Sequence, residues 1–184
     1  MSTTIYLIRH AEISFIPNEN RRGLSEKGKK DARILTERLR SYNISKVISS
    51  PYLRAVDTVK GIAEERGLDI EIIDDFRERK ITSGYIKDFY FFTKSQWEDF
   101  EYCLHQGESL NEVKMRGITA VRMLLSKYKG ENMVISTHGT ILAAMINYYD
   151  SNCDYNFWLN LKMPDVYKLI FEGKELMSIE HIEI

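Results

Sequence analysis

The strongest constraint on this chain is the alternation of two hydrophobic rhythms. Thr4-Ile5-Tyr6-Leu7-Ile8 is a short apolar run bounded by polar residues, the pattern of a buried strand. From Ser25 to Tyr42 the rhythm changes, with Ala32, Leu35, Leu39 and Tyr42 recurring at helical spacing. Lys46-Val47-Ile48-Ser49 reads as a second strand. A helix then runs from Pro51, a residue tolerated in a first turn, to about Arg66, where Gly67 is placed to close it. Asp69 to Ile73 alternates as a third strand, and Ser109-Leu110-Asn111-Glu112 is a capping-box signature opening a helix to Tyr128. Met133 to Ser136 reads as a fourth strand and Ile141 to Tyr148 as a buried helix. Val166 to Phe171 and Leu176 to Ile182 form a closing hairpin about Glu172-Gly173-Lys174. Strands alternating with helices predict a three-layer α/β/α sandwich around a mostly parallel sheet, with the hairpin as an antiparallel edge.

No repeat, low-complexity tract or linker divides the 184 residues, so one domain is expected over 1–184. The segment at about 80–106 is less regular and crowded with aromatics from Tyr85 to Tyr102, as an insertion would be. A net charge of −1 gives no footprint for nucleic acid. The two cysteines, Cys103 and Cys153, make no disulfide framework and suit a reducing compartment. With no leader pattern and no apolar run near the about 20 residues a bilayer requires, a cytoplasmic protein without membrane partners is expected.

Chemistry collects at the strand ends. The first strand ends in Arg9-His10, and a loop rich in Asn, Arg and Gly follows from Pro17 to Gly23. The second ends in Ser49-Ser50-Pro51, with Arg54 in the next helical turn. The fourth ends in Thr137-His138-Gly139. Ligands of open α/β sheets bind at the carboxyl ends of strands, and helix N-termini near Pro51 and Gly139 would add N–H donors. The sum is a pocket for a compact dianion, which means phosphate. Taken singly, such a histidine is more often structural and such an arginine more often on the surface. Here two of the four histidines occupy equivalent strand ends beside arginines. A metal site built on the two histidines is the rival reading. The fixed charges of Arg9 and Arg54 oppose a divalent cation, and Cys103-Leu104-His105 has no second ligand pair at zinc spacing.

These residues carry a resemblance. Leu7-Ile8-Arg9-His10-Ala11-Glu12 resembles the R-H-G-E signature of the histidine phosphatase superfamily, the phosphoglycerate-mutase-like proteins. Leu24-Ser25-Glu26-Lys27-Gly28 is similar to its L-[ST]-x-x-G helix start, and Ser49 to Ala55 to its S-S-P-x-x-R-A motif. Phe76-Arg77-Glu78-Arg79 resembles its L-x-E segment, Gly107-Glu108-Ser109 its G-E-S, and Thr137-His138-Gly139 its second histidine motif. The matches follow the family's order along nearly the whole chain.

The resemblance implies a phosphoglycerate-mutase-like fold and a cofactor-free, metal-free reaction through phosphohistidine. His10 becomes the nucleophile, Arg9, Arg54, His138 and Gly139 bind the phosphoryl group, and Glu78 is the general acid. Asp74, Asp75 and Glu12 are fallback acids. Glu78 also reads as one member of a surface ion pair with Arg77 or Arg79. The family often continues after this glutamate with an acidic residue and glycine, whereas this chain has Arg79-Lys80-Ile81-Thr82. Ala11 replaces a usual glycine, and Ile13 a common threonine. Arg21 and Arg22 either grip a second acidic group on the substrate or are simply solvated. In the family the insertion before G-E-S tends to cover the site; its aromatics here are expected mainly as core, with one or two rings facing the substrate.

The implied partner is a small phosphorylated metabolite, and the implied activity is phosphomonoester hydrolysis by a monomer or homodimer. Phosphoglycerate mutase is the alternative, disfavoured because mutases of the family generally carry longer insertions. A non-catalytic phospho-ligand sensor is a third reading.

Overall fold

A computed structural model describes residues 1–15 and 21–184. The first four of the Pro17–Gly23 loop residues lie outside that range. Strand β1 (Ser2–Arg9) is followed by α1 (Glu26–Arg38), β2 (Lys46–Ser49), α2 (Leu53–Arg66) and β3 (Ile70–Ile72). A single 3-10 turn at Asp74–Phe76 leads to α3 (Phe89–Glu98) and α4 (Leu110–Lys127). The chain continues through β4 (Asn132–Thr137), α5 (Gly139–Tyr149), α6 (Tyr155–Asn160), β5 (Asp165–Glu172) and β6 (Glu175–Ile182). The six strands form one sheet in the order β3-β2-β4-β1-β5-β6. β1, β2, β3 and β4 run parallel, while β5 and β6 are antiparallel, as the closing hairpin predicted.

The two-residue period of β1 divides the core between the sheet's faces. Ile5 and Leu7 join Ile135, Leu124, Ile141 and Leu142 on the side of α4 and α5. Tyr6 and Ile8 join Leu35, Val59, Ile62 and Val134 on the side of α1 and α2. Helices thus cover both faces, which is the expected three-layer sandwich. The capping box at Ser109 and Glu112 is present, with both reciprocal bonds made. Gly67 closes α2 at φ 61°, a left-handed conformation that side-chain-bearing residues resist. Among the described residues no helix is long and apolar enough to cross a membrane.

Two boundaries differ from the periodicity for long-range reasons. The pattern extends α1 to Tyr42, but the helix stops at Arg38. The Arg66 guanidinium, from α2, takes the carbonyls of Leu39, Arg40 and Tyr42 at 2.8, 3.3 and 3.3 Å and so satisfies the turn. Tyr42 still packs on Tyr6, ring centroids 5.2 Å apart. Helix α2 begins at Leu53, not Pro51, because the Ser50 N–H continues the ladder to the Ser136 carbonyl at 3.0 Å.

Helices α3 and α6 have no counterpart in the periodicity. Each carries a local start signal nonetheless. The Asp88 carboxylate accepts from Phe91 N, and that of Asp154 from Asn156 N and Phe157 N. The aromatic stretch divides accordingly. Phe92 and Trp97 are buried and Phe100 packs against the core, whereas Tyr85, Tyr90 and Phe91 are exposed, so fewer rings are core than expected.

Candidate active site

The order β2-β4-β1 brings three strand ends together, because β4 returns between strands that precede it in sequence. Arg9-His10, Ser49-Ser50 and Thr137-His138 therefore meet at one edge, as the strand-end pattern implied. The His10 N–H bonds to the Thr137 carbonyl at 3.0 Å, and the rings of His10 and His138 lie 5.2 Å apart, edge to face.

His10 is buried, and its Nδ1 donates to the carbonyl of Ala11 at 2.7 Å. A carbonyl only accepts, so this bond places the proton on Nδ1 and leaves Nε2 with a lone pair. Arg54 Nε donates to that lone pair at 3.3 Å. Burial, with the charges of Arg54 and Arg9, outweighs the Ala11 bond and pushes the His10 pKa down to about 3. The imidazole is neutral at physiological pH. Thr58 ties the motifs together: its Oγ1 accepts from the Ala11 N–H at 3.0 Å and donates to the Arg54 carbonyl at 2.7 Å.

His138 is fully buried as the residue preceding α5. Its Nε2 is 2.7 Å from Ser50 Oγ, and its Nδ1 has no partner among the described residues. Burial holds its pKa well below the ordinary value, reinforced by His10, Arg54, Arg116 and Arg9. The Tyr52 ring spans the site, 5.0 Å from the His138 ring and 4.7 Å from the Arg54 guanidinium carbon. Arg9 donates through Nη1 to the Leu161 carbonyl at 2.6 Å, while its buried Nε bonds to nothing among the described residues. Gly139 leaves room for the Arg9 guanidinium: a Cβ there would sit 3.0 Å from Arg9 Nε and 3.1 Å from its guanidinium carbon, and the side chain would have to shift by a few tenths of an ångström.

Among the described residues Glu78 forms no ion pair with Arg77 or Arg79; Arg77 pairs with Asp74 and Glu108. The Glu78 carboxylate accepts from the N–H groups of Arg79 at 2.8 Å, Thr140 at 3.1 Å and Ile141 at 3.3 Å. The N-terminus of α5 therefore holds Glu78, not only the anion pocket that the sequence suggested. Among the fallback acids, Glu12 accepts from Ser25 Oγ at the start of α1, and Asp74 pairs with Arg77.

A cleft of about 400 Å³ opens at the Arg9, Tyr52 and Glu78 end of this cluster, and His10, Arg54 and His138 are not among its lining residues. Arg9, Tyr52, Glu78, Gly139 and Thr140 line one part, and Arg79, Lys80, Thr82, Ile86, Phe89 and Trp158 the rest. Arg21 is exposed and Arg22 half-buried, and neither lines it.

Three residues of this neighbourhood were given no role by the sequence. Ser50 orients His138. Arg116 donates to the carbonyls of Asp75, Arg77 and Glu78 and pairs with Glu108. Arg79 is buried. The G-E-S motif pointed to Glu108, but nothing local pointed to Arg116.

The profile of the histidine phosphatase superfamily (branch 1) matches residues 5–176. The chain is 29% identical over 159 residues to phosphoglycerate mutase-like protein 4 of Arabidopsis thaliana, covering 77% of this chain and 68% of that one. It is 28% identical over 161 residues to a metal-independent phosphoserine phosphatase of Arabidopsis thaliana, covering 78% and 67%. Its fold superposes on a mycobacterial glucosyl-3-phosphoglycerate phosphatase with a TM-score of 0.78 at 19% identity, over 98% of this chain and 97% of that one. The protein belongs to the histidine phosphatase superfamily.

Proposed function

We propose that the protein is a metal-independent phosphomonoesterase acting on a small phosphorylated metabolite through phosphohistidine. The observation that carries this reading is the state of His10: a neutral imidazole with its proton committed to Ala11 and its Nε2 lone pair beside Arg54. Substrate binding turns the Arg54 N–H from that lone pair to a phosphoryl oxygen. Nε2 then attacks phosphorus as the ester P–O bond breaks, and the Ala11 carbonyl stabilises the charge growing on the ring. Arg9, Arg54 and His138 hold the equatorial oxygens, Gly139 lets Arg9 approach, and Glu78 is the general acid that delivers a proton to the leaving alkoxide. In the second half, water attacks the phosphohistidine, the N–P bond breaks, and Glu78 takes the water's proton.

We assign the whole chain to one functional unit, with segment 80–106 covering the cleft through Ile86 and Phe89. The free cysteines, one of them exposed, support a reducing, cytoplasmic setting. Relatives named as mutases support a second reading, in which the phosphoryl group returns to bound product instead of water. Hydrolysis of p-nitrophenyl phosphate in EDTA, wild type beside His10→Ala, tests the first. Turnover abolished by the substitution is expected. Turnover surviving it removes the phosphohistidine route, and phosphoryl exchange between phosphoglycerates without net hydrolysis supports the mutase.

A further inference from the structure

Arg9 and Asp165 stand opposite each other where β1 pairs with β5, and Tyr167 stands opposite His181 where β5 pairs with β6. Residues two apart in a strand share a face, so Arg9, Asp165, Tyr167 and His181 form a row across one side of the sheet, out to its edge strand. The row is bonded at its outer end. Asp165 is only 3% exposed, and its Oδ1 accepts from His181 Nε2 at 2.7 Å. A carboxylate only accepts, so the bond places a proton on Nε2. The His181 ring lies 4.9 Å from that of Tyr167, which packs in turn on Phe157 at 5.4 Å.

The inner end of the row passes through a single peptide group. Asp165 Oδ2 accepts from the Lys162 N–H at 3.0 Å. The carbonyl of that same peptide, contributed by Leu161, accepts from Arg9 Nη1 at 2.6 Å. A peptide is planar, with its N–H and C=O pointing in opposite directions. Holding the N–H therefore aims the C=O, and the pull of the carboxylate makes that carbonyl a stronger acceptor. Among the described residues this carbonyl is the one group that the Arg9 guanidinium hydrogen-bonds, and Arg9 Nε is buried without a partner. Burial also opposes the charge of Arg9; Glu78, and after it Asp165, favour that charge.

Arg9 lines the cleft, whereas Asp165 and His181 do not. We propose that Asp165, held by His181, is a positioning residue for Arg9, fixing its guanidinium through the Leu161–Lys162 peptide. Neither residue touches the substrate; both act through Arg9. This rests on the phosphatase reading for the task of Arg9, which is to grip the phosphoryl oxygens.

Orthovanadate, which takes up the geometry of a transferring phosphoryl group, is the probe. Its affinity would be measured by calorimetry on the wild type, Asp165→Ala, Asp165→Asn, His181→Leu and His181→Gln. Asp165→Ala should weaken binding about 10-fold, the scale of a misplaced clamp. Asp165→Asn, whose amide oxygen still accepts from the Lys162 N–H, should stay within about threefold of the wild type. His181→Leu should lose affinity and His181→Gln, which keeps an N–H donor, should recover it. The Nε–H resonance of Arg9, assigned by its disappearance in Arg9→Lys, should move in Asp165→Ala and His181→Leu and hold its place in the conservative partners. Should Asp165→Ala fail to fold, the His181 variants carry the same comparison at a half-exposed site on the edge strand. Lower melting temperatures with vanadate affinity and the Arg9 resonance both unchanged would overturn the proposal, as would equal losses in the conservative and non-conservative variants. Vanadate ignored by the wild type would overturn it too, together with the seat of the phosphoryl group. Vanadate bound as expected without hydrolysis of p-nitrophenyl phosphate would remove the phosphatase reading alone, because neither readout needs turnover.

Discussion

Glu108 and Arg116 form an ion pair at 2.9 Å, and through it the loop carrying Glu78 is strapped to α4. Glu108 also accepts from the Lys80 N–H at 2.8 Å and pairs with Arg77 at 3.0 Å. Arg116 grips the opposite side of the loop through the carbonyls of Asp75 and Arg77 at 2.6 and 2.9 Å. Burial alone would raise the Glu108 pKa; the bonds from Arg116 and Lys80 N and the charges of Arg116 and Arg77 outweigh it and lower it.

Arg116→Met should therefore loosen Glu78 without touching substrate. We expect kcat to fall roughly 10-fold with KM little changed, as misplacement of a catalytic group costs rate first. A folded-state pKa below the unfolded one contributes stability that is present above the unfolded value and lost as pH falls through the folded one. Melting temperatures below about pH 4.5 should fall less steeply in Glu108→Gln than in the wild type. Parallel curves would show that Glu108 is not anchored as described.

Ser50 is predicted to act through His138. Ser50→Ala removes the partner at 2.7 Å and leaves both ring nitrogens of a fully buried imidazole unsatisfied. The cost should be about 1–3 kcal/mol in stability, with about a 10-fold loss in kcat/KM from a misaimed phosphoryl donor. Ser50→Thr, which keeps the hydroxyl, should recover part of both. Equal losses in Ala and Thr would mean that packing, not the hydrogen bond, is what Ser50 supplies.

The depressed pKa of His10 sets a stability window. Between the unfolded value of 6.5 and the folded value of about 3, the unfolded chain binds the extra proton. The stability of the free protein should therefore fall as pH drops through that window, and His138 adds to the slope in the same direction. His10→Asn should flatten the dependence of melting temperature on pH between 6.5 and 4. An unchanged slope would mean that His10 is already protonated in the folded state.

Glu78→Gln should slow poor leaving groups far more than good ones. Alkyl phosphates should lose about 10²–10⁴-fold, the worth of a positioned general acid, and p-nitrophenyl phosphate much less. An equal loss for both would move the proton donor elsewhere.

The convergence of Arg9, His10, Ser50, Arg54 and His138 was legible in the linear chain. Each follows an apolar run whose period marks a strand, and in a parallel sheet such ends must share one edge. The cap at Ser109, the stop at Gly67 and the closing hairpin were legible too, because their determinants lie within a few residues. Other features depend on groups distant in sequence. Arg66 ends a helix it does not belong to, and Glu78 is held by the N-terminus of α5, 62 residues on. Arg116 straps a loop nearly 40 residues before it. Beside Glu78, Arg79 looked like half of a surface ion pair. Only Gln96, Phe92 and Trp158, delivered by two helices with no periodic signature, show it buried and bonded to Gln96. Local propensity and hydrophobic period determine where elements form and which ends meet. Which polar groups are satisfied, and which are buried without a partner among the described residues, was decided by packing between segments that the chain order keeps apart.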